Sequence, residues 1–95
     1  MPGSISTHER EGVTIVELDG PLVAGPPSDG LREHIRALLA AGRNRVVLDL
    51  AKVGRIDSTG LGALVVSFTT LRKGAGKLAL LHLNRQQLEL LVLTK

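Results

Sequence analysis

The feature that most constrains this 95-residue chain is a handover from one kind of structure to another. An aliphatic run, Val46-Val47-Leu48-Asp49-Leu50, reads as a buried strand. It leads into Arg55-Ile56-Asp57-Ser58-Thr59-Gly60-Leu61-Gly62, after which Leu61, Leu64, Val65, Phe68 and Leu71 recur at the spacing of one helix face. Small hydroxyl residues and glycine thus sit where a strand hands over to a helix. A helix start there leaves backbone N–H groups unsatisfied, so the junction is a cap by necessity and a candidate anion-facing site.

Around this junction the chain reads as one small α/β domain spanning residues 1–95, too short for a second core. Residues Ile5–Leu18 read as a hairpin through Glu9-Arg10-Glu11-Gly12. Apolar residues on both alternating sets of Val13–Leu18 predict that this second strand is covered on each side. The Gly25-Pro26-Pro27 break precedes a helix with Ser28 or Asp29 as N-cap. Its buried side is expected to carry Leu31, Ile35, Leu38 and Leu39, and Gly42 provides the exit. The second helix is expected over Ser58–Lys73 and a further strand over Lys77–Leu83. A third helix is expected to be capped by Asn84 and to bear Leu88, Leu91 and Val92. The order β-β-α-β-α-β-α implies a mixed sheet with helices packed on it.

Composition narrows the function classes. Phe68 is the only aromatic residue, so the core is aliphatic, and nothing interleaves with the scattered Lys and Arg as a base-stacking platform would. The net charge of +3 therefore reads as solvated faces rather than a nucleic-acid site. The absence of cysteine excludes a disulfide framework, a thiolate metal site and a Cys nucleophile. His8, His34 and His82 show no metal-ligand spacing, and Ser58 lacks the Gly-x-Ser-x-Gly elbow of a hydrolase. No signal peptide and no apolar run of roughly 20 residues is visible, which fits a cytoplasmic protein without a membrane span. No cofactor is implied, and ATP has no Walker-type loop to bind.

Two details raise the junction above an ordinary cap. Glycines in the first turns of a helix cost roughly 1 kcal/mol each against alanine, so Gly60 and Gly62 call for a reason such as close approach. Capping also needs one polar side chain, whereas Asp57, Ser58 and Thr59 stand in a row.

These residues carry a family resemblance. The chain resembles a STAS domain, and within that family the single-domain anti-sigma factor antagonists of bacterial partner switching. The likeness runs through Gly12-Val13-Thr14-Ile15-Val16, Val46–Leu50, Ile56–Gly62, Gly76-Lys77-Leu78 and the closing Leu90–Lys95, with Ile56–Gly62 the most specific stretch. The resemblance implies a protein that binds an anti-sigma factor serine kinase when unmodified, frees a sigma factor, and is released when Ser58 is phosphorylated. It implies a metal-dependent serine phosphatase that reverses the modification, and it places Asp57, Ser58, Thr59, Gly60, Leu61 and Gly62 at the partner interface. The alternative it carries is an unmodified STAS adaptor in a transport, lipid-trafficking or stressosome-like assembly. Family members usually continue with another strand and helix, so the chain reads as C-terminally truncated. Self-association as a homodimer through the surface left uncovered there is a further expectation.

Overall fold

In the computed structural model, which describes residues 4–83, the chain forms β1 (Ser4–Arg10), β2 (Val13–Asp19), α1 (Pro26–Ala40), β3 (Arg45–Lys52), α2 (Ser58–Lys73) and β4 (Lys77–Leu81). This is the expected α/β order as far as β4. The expected third helix lies outside the described residues.

The first two strands pair antiparallel, with Arg10 opposite Val13 across the two-residue turn Glu11-Gly12. Both turn residues have positive φ, 53° and 82°, which matches the twist of the flanking strands. Beyond this hairpin the sheet grows in one direction, β1-β2-β3-β4, with β2, β3 and β4 parallel. Each parallel step needs a crossover, and crossovers of this kind are right-handed. Two right-handed crossovers advancing the same way place α1 and α2 on the same face.

That rule overturns the expectation that β2 is covered on each side. Val16 and Leu18 are buried under the helices, whereas Val13 and Ile15 are only half-buried and Glu17 is exposed on the opposite face. Apolar residues on both alternating sets predict a covering layer on each side. Among the described residues there is one.

The core lies between this inner face and the two helices. Leu48 and Leu50 of β3 meet Leu31, Ile35 and Leu38 of α1 and Ala63, Leu64 and Leu71 of α2. Two expectations about the helices change here. Helix α1 begins at Pro26, with Gly25 as N-cap and no side-chain cap, rather than at Ser28 or Asp29. Proline is favoured at the first helical position because its missing N–H would be unpaired there anyway. Ser28 is instead buried in the first turn and donates to the Val23 carbonyl at 2.6 Å. At the other end, Gly42 has φ +81°, in keeping with the glycine exit.

Helix α2 is turned relative to its large apolar residues. Its buried positions are Gly60, Ala63, Leu64, Ser67 and Leu71, while Val65 and Phe68 are 45% and 48% exposed. Small residues let the helix axis approach its neighbours closely, and Ser67 satisfies its hydroxyl on the Ala63 carbonyl at 2.8 Å. Val65 and Phe68 are left on the flank, where with Leu64, Leu78 and Leu80 they border an apolar cavity of about 250 Å³.

Leu48 is fully buried at the centre of this arrangement. Leu48→Ala is expected to lower the free energy of unfolding by about 2–5 kcal/mol in urea titrations. Val66→Ala, on the exposed face of α2, is expected to change it by less than about 0.5 kcal/mol in the same titration.

Candidate functional site

The approach to α2 is held by a short pairing of two loops. The segment leaving β2 and the segment leaving β3 run parallel, with an isolated bridge between Leu22 and Ile56. The Leu22 amide donates to the Arg55 carbonyl at 2.8 Å, and the Asp57 amide donates to the Leu22 carbonyl at 3.3 Å. The Leu22 carbonyl is therefore packed against the first turn of α2.

This close approach explains Gly60. A Cβ on Gly60 would lie 2.0 Å from the Leu22 carbonyl oxygen, closer than any side chain tolerates. Gly62 has a different setting: a Cβ there would meet nothing within 4 Å, and the residue is exposed. One of the two glycines is thus required by internal packing, and the other leaves the surface of α2 low and open.

Asp57 is the N-cap of α2, in extended conformation at φ −96° and ψ −177°. Its Oδ1 accepts from the Gly60 amide at 2.8 Å, the usual capping bond. Its Oδ2 accepts from the Ala24 amide at 3.0 Å, across to the loop that starts α1. These bonds hold the Asp57 carboxyl below the usual carboxylate range, the Gly60 amide contributing most and the Ala24 amide next. Both oxygens are committed, so the carboxylate is a structural tie and is not free to act as a base.

Ser58 and Thr59 occupy the first two positions of the helix, and both are exposed. Neither hydroxyl has a hydrogen-bond partner among the described residues. Leu61 is half-buried and Gly60 is buried, while Gly62 continues the exposed side of α2 towards Val65, Val66 and Thr69. The sequence-predicted set is therefore brought together on one and a half turns, but divided by role. Asp57 and Gly60 face inward and build the junction; Ser58, Thr59 and Gly62 face outward. The contribution of Leu22 and Ala24 was not visible in the sequence, and its only signal was the unexplained Gly60.

Two other carboxylate and histidine positions lie elsewhere. Asp49 accepts from His82 Nδ1 at 2.7 Å and from the Ala51 amide at 3.0 Å, which hold its carboxyl low, and it does not meet Asp57. His34 Nε2 is 2.6 Å from the Thr7 hydroxyl, tying α1 to β1. Among the described residues no three His, Cys, Asp or Glu side chains gather as metal ligands, and no helix is long and apolar enough to cross a membrane.

Comparison with known proteins gives a consistent picture. A family model described as STAS domain matches residues 4–95. The fold is similar to TM1081 of Thermotoga maritima, crystallised as a candidate anti-sigma factor antagonist, with 24% identity and a TM-score of 0.86 over 95% of this chain and 77% of that one. It is similar to an anti-sigma factor antagonist from Mycobacterium paratuberculosis, with 22% identity and a TM-score of 0.78 over 97% of this chain and 77% of that one. The Bacillus cell-fate determinant SpoIIAA in its phosphorylated form shares 16% identity and a TM-score of 0.78, over 96% and 83% of the two chains. The murine anion transporter Slc26a9 contains a similar region, with 23% identity and a TM-score of 0.71 over 90% of this chain but 14% of the transporter. At these identities the likeness establishes the fold. No curated protein sequence matches the chain.

The two glycines separate the inner from the outer half of the site. Gly60→Ala is expected to cost about 3 kcal/mol or more in denaturant titration, because the Leu22 carbonyl cannot move without breaking the loop pairing. Gly62→Ala is expected to be neutral or to stabilise by up to about 1 kcal/mol. Because the Asp57 carboxyl is depressed in the folded chain, its contribution to stability is present above the unfolded carboxyl pKa and disappears as pH falls through the folded one. Urea midpoints measured from neutral to acid pH are expected to fall less steeply in Asp57→Asn than in the wild type.

Proposed function

This chain belongs to the STAS domain family, and from that premise we propose that it is an anti-sigma factor antagonist switched by phosphorylation of Ser58. In the unmodified state the outward half of the α2 start, Ser58, Thr59 and Gly62 with the half-buried Leu61, docks on an anti-sigma factor that is also a serine kinase. The kinase supplies ATP and the catalytic machinery, and this chain has no catalysis of its own. Docking releases the sigma factor; phosphorylation ends the docking; a metal-dependent serine phosphatase resets the cycle. The setting is the bacterial cytoplasm.

The observation that carries this reading is the state of the Ser58 hydroxyl. It is exposed at the first position of α2, has no partner among the described residues, and stands beside a carboxylate that is pinned inward by two backbone amides. A phosphate there adds about −1.5 to −2 charges next to the positive end of a helix dipole, so the domain tolerates it. An interface that must desolvate the same position does not, since burying an unpaired dianion is strongly unfavourable. Modification thus changes binding without requiring a change of fold. Support also comes from SpoIIAA, a protein of the same fold whose structure is known in both its unphosphorylated and phosphorylated forms.

The second reading is an unmodified adaptor, and the likeness to part of the Slc26a9 transporter is what favours it. The two separate on one measurement. Incubation with a candidate anti-sigma kinase and ATP is expected to add a single phosphate, located at Ser58 by fragmentation mass spectrometry and absent in Ser58→Ala. Binding without any phosphate transfer would favour the adaptor. Ser58→Asp is expected to weaken kinase binding at least about tenfold in calorimetry while keeping the wild-type melting curve. Full-strength binding by that variant would contradict the charge mechanism.

A further inference from the structure

The outer face of the sheet carries a charge pattern that the α2 site does not use. Its side chains fall into rows across the strands, because β2, β3 and β4 pair in register and β1 closes the hairpin. The row nearest the starts of β3 and β4 is Arg10, Val13, Arg45 and Lys77. The middle row is His8, Ile15, Val47 and Ala79. The third is Ser6, Glu17, Asp49 and Leu81. Asp19 and Lys52, paired one step further on, carry opposite charges and cancel each other.

Three cations thus lie on one side of the middle row and two carboxylates on the other. Arg10, Arg45 and Lys77 have no acidic partner among the described residues, and Glu17 has no basic one. Around the cationic row the surface forms an open depression of about 460 Å³ floored by Val13, Val47 and Ala79. Leu81, 45% exposed, adds apolar surface at the other end. Both crossover helices lie on the inner face; on the outer one His82, just after β4, bonds Asp49 Oδ1, and Asp49 Oδ2 has no partner among the described residues.

We propose that a second copy of this chain packs on the outer face, with a twofold axis lying across the strands through the middle row. This inference stands apart from the Ser58 reading and does not depend on it. The axis is selected by charge. Rotation about a line across the strands sets β3 against β3 of the partner in the opposite direction and brings Arg45 over the partner's Asp49, while Arg10 falls over the partner's Ser6, one strand from its Glu17, and Lys77 over the partner's Leu81, one strand from its Asp49. Rotation about a line along the strands would set Arg10 near the partner's Lys77 and Glu17 near the partner's Asp49, and like charges repel. Ile15 and Val47 meet their own copies at the centre. Sheets packed about 10 Å apart leave room for arginine and lysine side chains to reach the facing carboxylates. Four strands about 4.8 Å apart and some seven residues long offer a flat footprint of roughly 400 Å². That is below the roughly 800 Å² per partner of a standard interface, so the dimer is weak and reversible. The start of α2 lies on the opposite side of the sheet and stays open to other partners.

The test is sedimentation velocity on the full chain at low salt from about 10 µM to about 1 mM. A monomer–dimer equilibrium is expected, weakening as salt is raised. Arg45→Glu and, separately, Lys77→Glu are expected to shift that equilibrium at least about tenfold towards monomer. Both residues are exposed and without an acidic partner, so melting curves are expected to match the wild type. The chain has no cysteine, which permits a positional check. Val47→Cys is expected to be captured as a covalent dimer by a short bis-maleimide, and Val66→Cys on the exposed side of α2 is not. A chain that stays monomeric at about 1 mM, a dimer indifferent to both charge reversals, or capture at position 66 instead of 47 would each overturn the proposal.

Discussion

The structure depends on the contact between the Leu22 carbonyl and the first turn of α2. That oxygen accepts from the Asp57 amide and fills the space where any side chain at position 60 would stand. Asp57 reinforces the contact by bonding the Gly60 amide of its own helix and the Ala24 amide of the neighbouring loop. Two segments distant in sequence, the link from β2 to α1 and the start of α2, are fixed by these few bonds. The outward-facing hydroxyls owe their position to this inward-facing set.

For the proposed switching at Ser58 the division of labour has a physical consequence. A site that must accept a phosphate without unfolding needs its charged group outside the network that holds the fold. Ser58 meets that condition because the cap is supplied by its neighbour, leaving the serine hydroxyl unbonded. The helix start adds a favourable field for an anion. Had Ser58 itself been the cap, modification would have removed the bond on which α2 begins.

The one-sided sheet is the second organising fact, and it follows from handedness rather than from composition. Right-handed crossovers from β2 to β3 and from β3 to β4 advance in the same direction, so both helices pack on the same surface. The core then needs only one apolar set of side chains per strand, as Val16, Leu18, Leu48 and Leu50 show. Val13, Ile15 and Val47 remain half-buried on the other side, amid charges sorted to opposite ends. The face that carries the hydroxyl site and the face that carries the sorted charges are therefore separated by the thickness of the sheet and helices.

Local chemistry made much of this legible in advance. The strand before Asp57, the helix after it, the hairpin and the glycine exit of α1 all follow from side-chain period, capping and positive φ, which act over a few residues. The same local logic identified Asp57 as a cap and Ser58 as a surplus hydroxyl. Where it went astray, the deciding contacts were distant. Val65 and Phe68 match a helix period with Leu61, Leu64 and Leu71, yet close packing of Gly60, Ala63 and Ser67 turned α2 and left them outside. Ser28 and Asp29 look like caps, yet Pro26 starts the helix and the buried Ser28 bonds the Val23 carbonyl. The sequence by itself determined which segments form strands and helices, and that a polar junction stands before α2. Only the tertiary structure decided which side of each element is covered, and that Gly60 is there for Leu22. A period names a face, but the partner that covers it is set by chain topology and by backbone atoms far away in sequence.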